Sequence, residues 1–178
     1  LNLAYMTLGE YPLKVPSDHL IPEQVLLAGE RFPRFANIAS RVGLDTFSLA
    51  GGAVADDFDN DGHLDLIVST YHLRGQLRLF HNNRDGTFSD LTSAAGLAGI
   101  TGGLNLVQAD FDNDGDLDLY VGNEGFAGQL FRNDNGHFID IAAEAGVDGD
   151  GVVKGTAWGD YDNDGDEDLY VSVRGGDN

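Results

Sequence analysis

The chain has 178 residues, 42% of them apolar, which is enough for one domain with a real core. Thirty acidic residues against ten basic leave a formal charge of −20, which excludes a general binder of nucleic-acid backbones, since that function needs a basic footprint. The absence of cysteine excludes disulfides and thiolate metal sites and leaves the redox compartment unreadable. No apolar run approaches the roughly 18 residues of a membrane span.

In chain order, Leu1, Ala4, Tyr5 and Leu8 fall on one helical face that Gly9 and Pro12 end. So short a helix does not stand alone, and residues 1–11 therefore read as the end of an upstream helical region. The order Leu1, Tyr5, Gly9, Tyr11 resembles the first helix of a tetratricopeptide repeat. The chain opens on Leu1 rather than Met, as a piece of a longer protein would. All four prolines (Pro12, Pro16, Pro22 and Pro33) fall within residues 12–34, which read as a linker.

From residue 35 to 178 the text repeats itself. Asp57, Asp110 and Asp160 are spaced by 53 and 50 residues, and Phe35, Phe88 and Phe138 keep the same spacing. Gly43, Gly96 and Gly146 follow the phenylalanines eight residues on. Each unit of about 50 residues reads as four short strands. In the middle unit these are 104–111, 117–122, 129–133 and 137–141, the last two joined across an Asn-Gly turn at Asn135-Gly136. The "AAEAG" segment that follows reads as one helical turn stopped by Gly146. Four strands per unit predict an all-β fold of β-propeller blades, each of four antiparallel strands. Closing a ring normally takes at least about four blades, so the expectation is an incomplete propeller that continues past Asn178. About two and a half blades are present here.

Three acidic stretches, at 57–65, 110–118 and 160–168, join the first two strands of each unit. Aspartate holds positions 1, 3, 5 and 9 in every copy: Asp57, Asp59, Asp61, Asp65; Asp110, Asp112, Asp114, Asp118; Asp160, Asp162, Asp164, Asp168. Position 6 is glycine throughout (Gly62, Gly115, Gly165), and position 7 varies between His63, Asp116 and Asp166. Alternating inward carboxylates, a glycine at the sharp turn and a main-chain carbonyl from position 7 describe a hard cation held by oxygen. A solvated turn with Asx-type hydrogen bonds would suit Asn60, Asn113 and Asn163, but three copies with four aspartates in register weigh against it. Without a cation the carboxylates would repel and raise one another's pKa. Six or seven oxygens with few waters fit calcium better than magnesium. The EF-hand alternative fails, because position 12 is Val68, Val121 or Val171 rather than glutamate and the flanks read as strands. Three calcium sites in β-hairpin loops are therefore expected, with residues 63, 116 and 166 donating through the main chain.

The D-x-D-x-D-G-x-x-D text and the strand after it resemble FG-GAP/VCBS-type repeats. These are the blades of integrin-α-like propellers and of bacterial cartilage-acidic-protein-like secreted proteins. The resemblance covers roughly Phe35 to Val173. The entering strands, "GGAVAD", "GGLNLVQAD" and "GTAWGD", lack the Phe-Gly and Gly-Ala-Pro pieces and lie closer to the VCBS branch. The resemblance implies calcium ligation by the twelve aspartates and an extracellular, periplasmic or cell-surface location. The expected function is a scaffold for protein or glycan binding or adhesion, with the remaining blades of the same chain as further partners and no nucleic acid. Two alternatives stay open: part of a propeller enzyme acting on an extracellular polysaccharide, and a purely structural spacer. The histidines His19, His63, His72, His81 and His137 show no H-E-x-x-H spacing and no G-x-S-x-G elbow occurs, so no catalytic residue is assigned. Trp158, on the strand entering the third loop, suits packing between blades or stacking on a ligand.

Overall fold

The computed structural model describes residues 2–22, 25, 35–46, 49, 51–72, 74–149 and 151–174. The chain divides into two compact units, Leu1–Asn37 and Ile38–Asn178. In the first, helix α1 (Asn2–Thr7) stops at Gly9, whose φ of 70° breaks the helical path. A single 3-10 turn follows at Ser17–His19, and Val15 is buried. Most of the expected linker, residues 23–24 and 26–34, lies outside the described residues.

The second unit is the repeated one, and its described strands are all antiparallel. The first blade has the order β1 (Ala53–Asp56), β2 (Asp65–Val68), β3 (Arg78–Asn82), β4 (Phe88–Asp90). The second repeats it with β5 (Asn105–Ala109), β6 (Asp118–Gly122), β7 (Gln129–Asp134) and β8 (His137–Asp140). A hairpin of β9 (Val152–Gly159) and β10 (Asp168–Arg174) begins the third. This is the expected all-β, propeller-like arrangement. One helical turn precedes the first blade, α2 (Ala39–Val42), and another follows the second, α3 (Ala142–Ala145). Gly43 and Gly146 end these turns in the left-handed region, which a side chain would enter only with strain.

A strand between two neighbouring blades must be apolar on both faces, and β6 is buried at every residue. Its side chains alternate between two cores. Leu119 and Val121 join Phe58, Ile67, Leu79, Phe131 and Phe138 between the first and second blades. Tyr120 joins Leu130 and Ala142, with Trp158 and Leu169 of the third-blade hairpin packed against them.

In the first two acidic loops the aromatic residue directly after the first aspartate acts as a wedge into the next blade. Phe58 meets Phe138 edge-on with ring centroids 6.0 Å apart, and Phe111 stacks on Trp158 at 6.2 Å. Trp158 thus packs between blades. The third such residue, Tyr161, is 88% exposed, whereas Phe58 is 1% exposed. Truncating Phe58 to alanine therefore leaves a cavity and should cost about 3–5 kcal/mol in a denaturant titration. Tyr161→Ala should stay within about 0.5 kcal/mol of the parent chain. Equal effects of the two changes would contradict the wedge.

Candidate metal centre

Each acidic loop bridges an antiparallel strand pair, and the register fixes where its ends meet. Asp56 faces Asp65, Ala109 faces Asp118, and Gly159 faces Asp168. The aspartate at position 9 therefore opens the second strand, directly across from the residue that precedes position 1. The loop between them closes through αL residues: Asn60, Asn113 and Asn163 at φ of 56°, 57° and 61°, and the glycines of position 6 at 86°, 94° and 97°. Added Cβ atoms at Gly62, Gly115 and Gly165 would meet nothing, so backbone conformation rather than space requires glycine there.

The aspartates divide the work. Position 1 caps the turn, one oxygen accepting from the amide of position 5 and the other from that of position 6. Asp57 does so at 3.0 and 2.7 Å, Asp110 at 3.0 and 3.0 Å, and Asp160 at 3.1 and 3.1 Å. Position 5 accepts from the amide of position 7, as Asp61 does from His63 at 2.8 Å and Asp114 from Asp116 at 2.9 Å. Position 9 reaches across the sheet: Asp65 Oδ1 accepts from Asn82 N and Asp118 Oδ1 from Asn133 N, both at 2.8 Å. These bonds have the Asx-turn pattern, yet they leave each carboxylate with lone pairs to spare.

In loops 2 and 3 the oxygens of positions 1, 3 and 9 converge: Asp110, Asp112, Asp118 and Asp160, Asp162, Asp168 each bring one oxygen within 4.8 Å of the others. Two oxygens on one calcium ion at 2.3–2.6 Å can be no more than about 5 Å apart, so the spacing fits that ion. Asp114 and Asp164, expected as ligands, fall outside these trios. Loop 1 is arranged differently. Asp57, Asp59 and Asp61 form one group, and Asp59, Asp65 and His81 form a second that shares Asp59. Asp59 Oδ1 is buried without a hydrogen-bond partner, an orphan of the kind a bound cation satisfies.

Position 7 carries a role that sequence reading missed. Asn60 of loop 1 donates to Asp116 Oδ1 at 2.5 Å, and Asn113 of loop 2 donates to Asp166 Oδ1 at 2.8 Å. Neighbouring loops are thus tied together by the same pair of positions. His81, Arg84 and Asn133 were also missed. Arg84 Nη2 sits 2.7 Å from Asp61 Oδ2 and holds that carboxyl below its ordinary range. Asn133, fully buried, donates to the Phe58 carbonyl of loop 1 at 2.8 Å. The signals were faint: an Asn shared by "FHNN" and "FRND", and a His standing where the second repeat has Arg132.

Blades of four antiparallel strands, each with an acidic hairpin loop between its first two strands, define a propeller-type repeat protein. Residues 57–121, from the first aspartate of loop 1 to Val121 in β6, match the model of the FG-GAP-like repeat. It is also 30% identical over 97 residues to Cartilage acidic protein 1 of Xenopus tropicalis, a match that takes in 54% of this chain and 15% of that protein.

The position-9 carboxylates pay most for convergence. Burial pushes Asp118 up to about 6, with the charges of Asp112 and Asp114 adding to the rise, and burial likewise raises Asp65. An unfolded aspartate ionises near 3.9, so the stability tied to the Asp118 proton is full below about pH 4 and is lost as pH rises through 6. Carboxyls held low, such as Asp61, act in the opposite sense but only below about pH 4. Freed of divalent ions, the chain should therefore be about 1 kcal/mol more stable at pH 5 than at pH 7.5 through Asp118 alone. Thermal melts of the parent and Asp118→Asn, which removes the titrating group, check this. A pH difference untouched by the substitution would contradict it.

Proposed function

We propose that each acidic loop holds one divalent cation, calcium in the all-oxygen loops 2 and 3, and that the blades form a cation-clamped scaffold in an extracellular protein. The observation that carries this reading is the convergence of three carboxylates per loop, one of them Asp118, wholly buried with no cationic side chain in ion-pair contact among the described residues. In loop 2 the residues that would hold the ion are Asp110, Asp112 and Asp118, and in loop 3 Asp160, Asp162 and Asp168. The ion supplies positive charge and nothing else. The residues do the positioning: position 1 caps the turn, position 3 turns inward and position 9 anchors the second strand. The repeat family and the relative's location-bearing name support an extracellular setting. Among the described residues no helix is long and apolar enough to cross a membrane. On this reading the scaffold presents its loop and edge surfaces to a protein or glycan.

The expected energetic effect is modest per site and large in sum. With a dissociation constant of about 0.1 mM and about 1 mM free calcium, each filled loop contributes roughly 1.4 kcal/mol. Two loops then give about 3 kcal/mol, a sizeable share of a domain's net stability. A calcium chelator should lower the melting temperature by roughly 5–10 °C. Asp112→Ala should reduce the calcium stoichiometry by one in equilibrium dialysis. A melt that does not move in excess chelator sinks the calcium reading, and glycan-array or pull-down binding that is indifferent to calcium sinks the recognition role.

A further inference from the structure

Loop 1 differs from the other two in its donor atoms, and donor type decides which ion a site prefers. His81 lies in β3 one residue beyond Phe80, which pairs with Leu66, just as Arg132 lies beyond Phe131, which pairs with Leu119. The second blade thus puts a guanidinium where the first puts an imidazole. His81 Nδ1 lies 3.1 Å from Asp59 Oδ2 and 3.2 Å from Asp65 Oδ1. Despite these distances Nδ1 makes no hydrogen bond, and Asp59 Oδ1 makes none either; they are two of four such buried side-chain atoms among the described residues. One donor atom from each of Asp59, Asp65 and His81 lies within 4.8 Å of the other two.

We propose that Asp59, Asp65 and His81 form a mixed nitrogen–oxygen site for a first-row transition dication of the zinc or cobalt class. The inference rests on the reading that the acidic loops hold divalent ions, and it changes the identity of the ion in loop 1. Ligands at 2.0–2.2 Å from one such ion, 90–109° apart, are separated by about 3.0–3.4 Å, which matches the spacing of Nδ1 from both carboxylates. Imidazole suits zinc, cobalt and nickel, whereas calcium takes oxygen. Arg84 meanwhile occupies Asp61, removing from loop 1 a carboxylate that an all-oxygen site would use. A cavity of about 160 Å³ adjoins the cluster, roofed by Asn135 and Gly136 from the turn of the second blade. It has room for an ion with the waters that complete its coordination.

The test uses the full chain with cobalt as probe, read by its visible absorption, in calcium sufficient to fill oxygen-only sites. One equivalent of cobalt should bind, and zinc should displace it. His81→Arg, which gives loop 1 the residue found in the second blade, should weaken cobalt binding by about tenfold or more. The same variant should still take up calcium at loops 2 and 3, which also shows that it is folded. His72→Gln, altering a histidine outside the cluster, should bind cobalt as the parent does. Cobalt binding unchanged by His81→Arg, or lost in His72→Gln, overturns the site while leaving calcium in the loops untouched. Absence of calcium uptake at loops 2 and 3 instead defeats the proposed function, and the response of cobalt to His81 is read independently of it.

Discussion

Carboxylates at loop positions 1, 3 and 9 are brought to within 4.8 Å of one another in loops 2 and 3, and the rest of the repeat is built around holding them there. Like charges at that separation repel, more strongly as water is withdrawn. Backbone amides take up part of the charge: in loop 2 the position-1 carboxylate receives two of them, and position 9 receives two as well, from Asn133 across the sheet and from Phe111. Those bonds fix orientation without cancelling the charge. A divalent ion is the economical way to do so, because one body neutralises several oxygens at once. The strand register then follows from the loop, since position 9 is both a member of the cluster and the first residue of the second strand.

The loops are not independent of the packing between blades. Asp118 and Asp65 are buried, whereas Asp168, at the same position of loop 3, is exposed. The difference tracks the aromatic wedges. Phe58 and Phe111 pack against the blade that follows, while Tyr161 is exposed. A stacked blade therefore does two things to the loop before it. It covers the position-9 carboxylate, raising the cost of its charge, and it supplies partners such as Asn133 that fix the loop's main chain. Asn60 with Asp116, and Asn113 with Asp166, carry the connection from loop to loop along the edge of the sheets. Neighbouring loops are thereby joined by direct hydrogen bonds.

The strands were legible because burial on both faces and turn chemistry leave strong local marks. The segments read for the middle unit differ from β5–β8 by one or two residues at their ends, and the single helical turn ends at Gly146 as its left-handed φ requires. Phe35 shows where periodicity misleads. It stands in register with Phe88 and Phe138, yet it is exposed and lies in no strand. The gathering of carboxylates in each loop was legible, but its geometry was not. Nothing in the one-dimensional pattern says that position 5 turns to cap an amide while position 9 reaches inward. Contacts between loops 53 to 56 residues apart, such as Asn60 to Asp116, arise from stacking alone.

Repetition also concealed a difference. Three loops with the same aspartates read as three equal sites, but the residues that tune them come from the next hairpin, where the repeats diverge. Loop 1 faces His81 and Arg84 from the hairpin of its own blade, and these give it two positive or nitrogen-bearing groups within ion-pair reach. Loop 2 has no such group in ion-pair contact among the described residues, and its buried Asp118 holds its proton to higher pH than an ordinary aspartate. The same aspartates thus stand in unequal surroundings, gathered beside an imidazole and a guanidinium in loop 1 and without either in loop 2. The aspartate text therefore sets where the carboxylates gather, while the hairpin that follows each loop sets the charge around them.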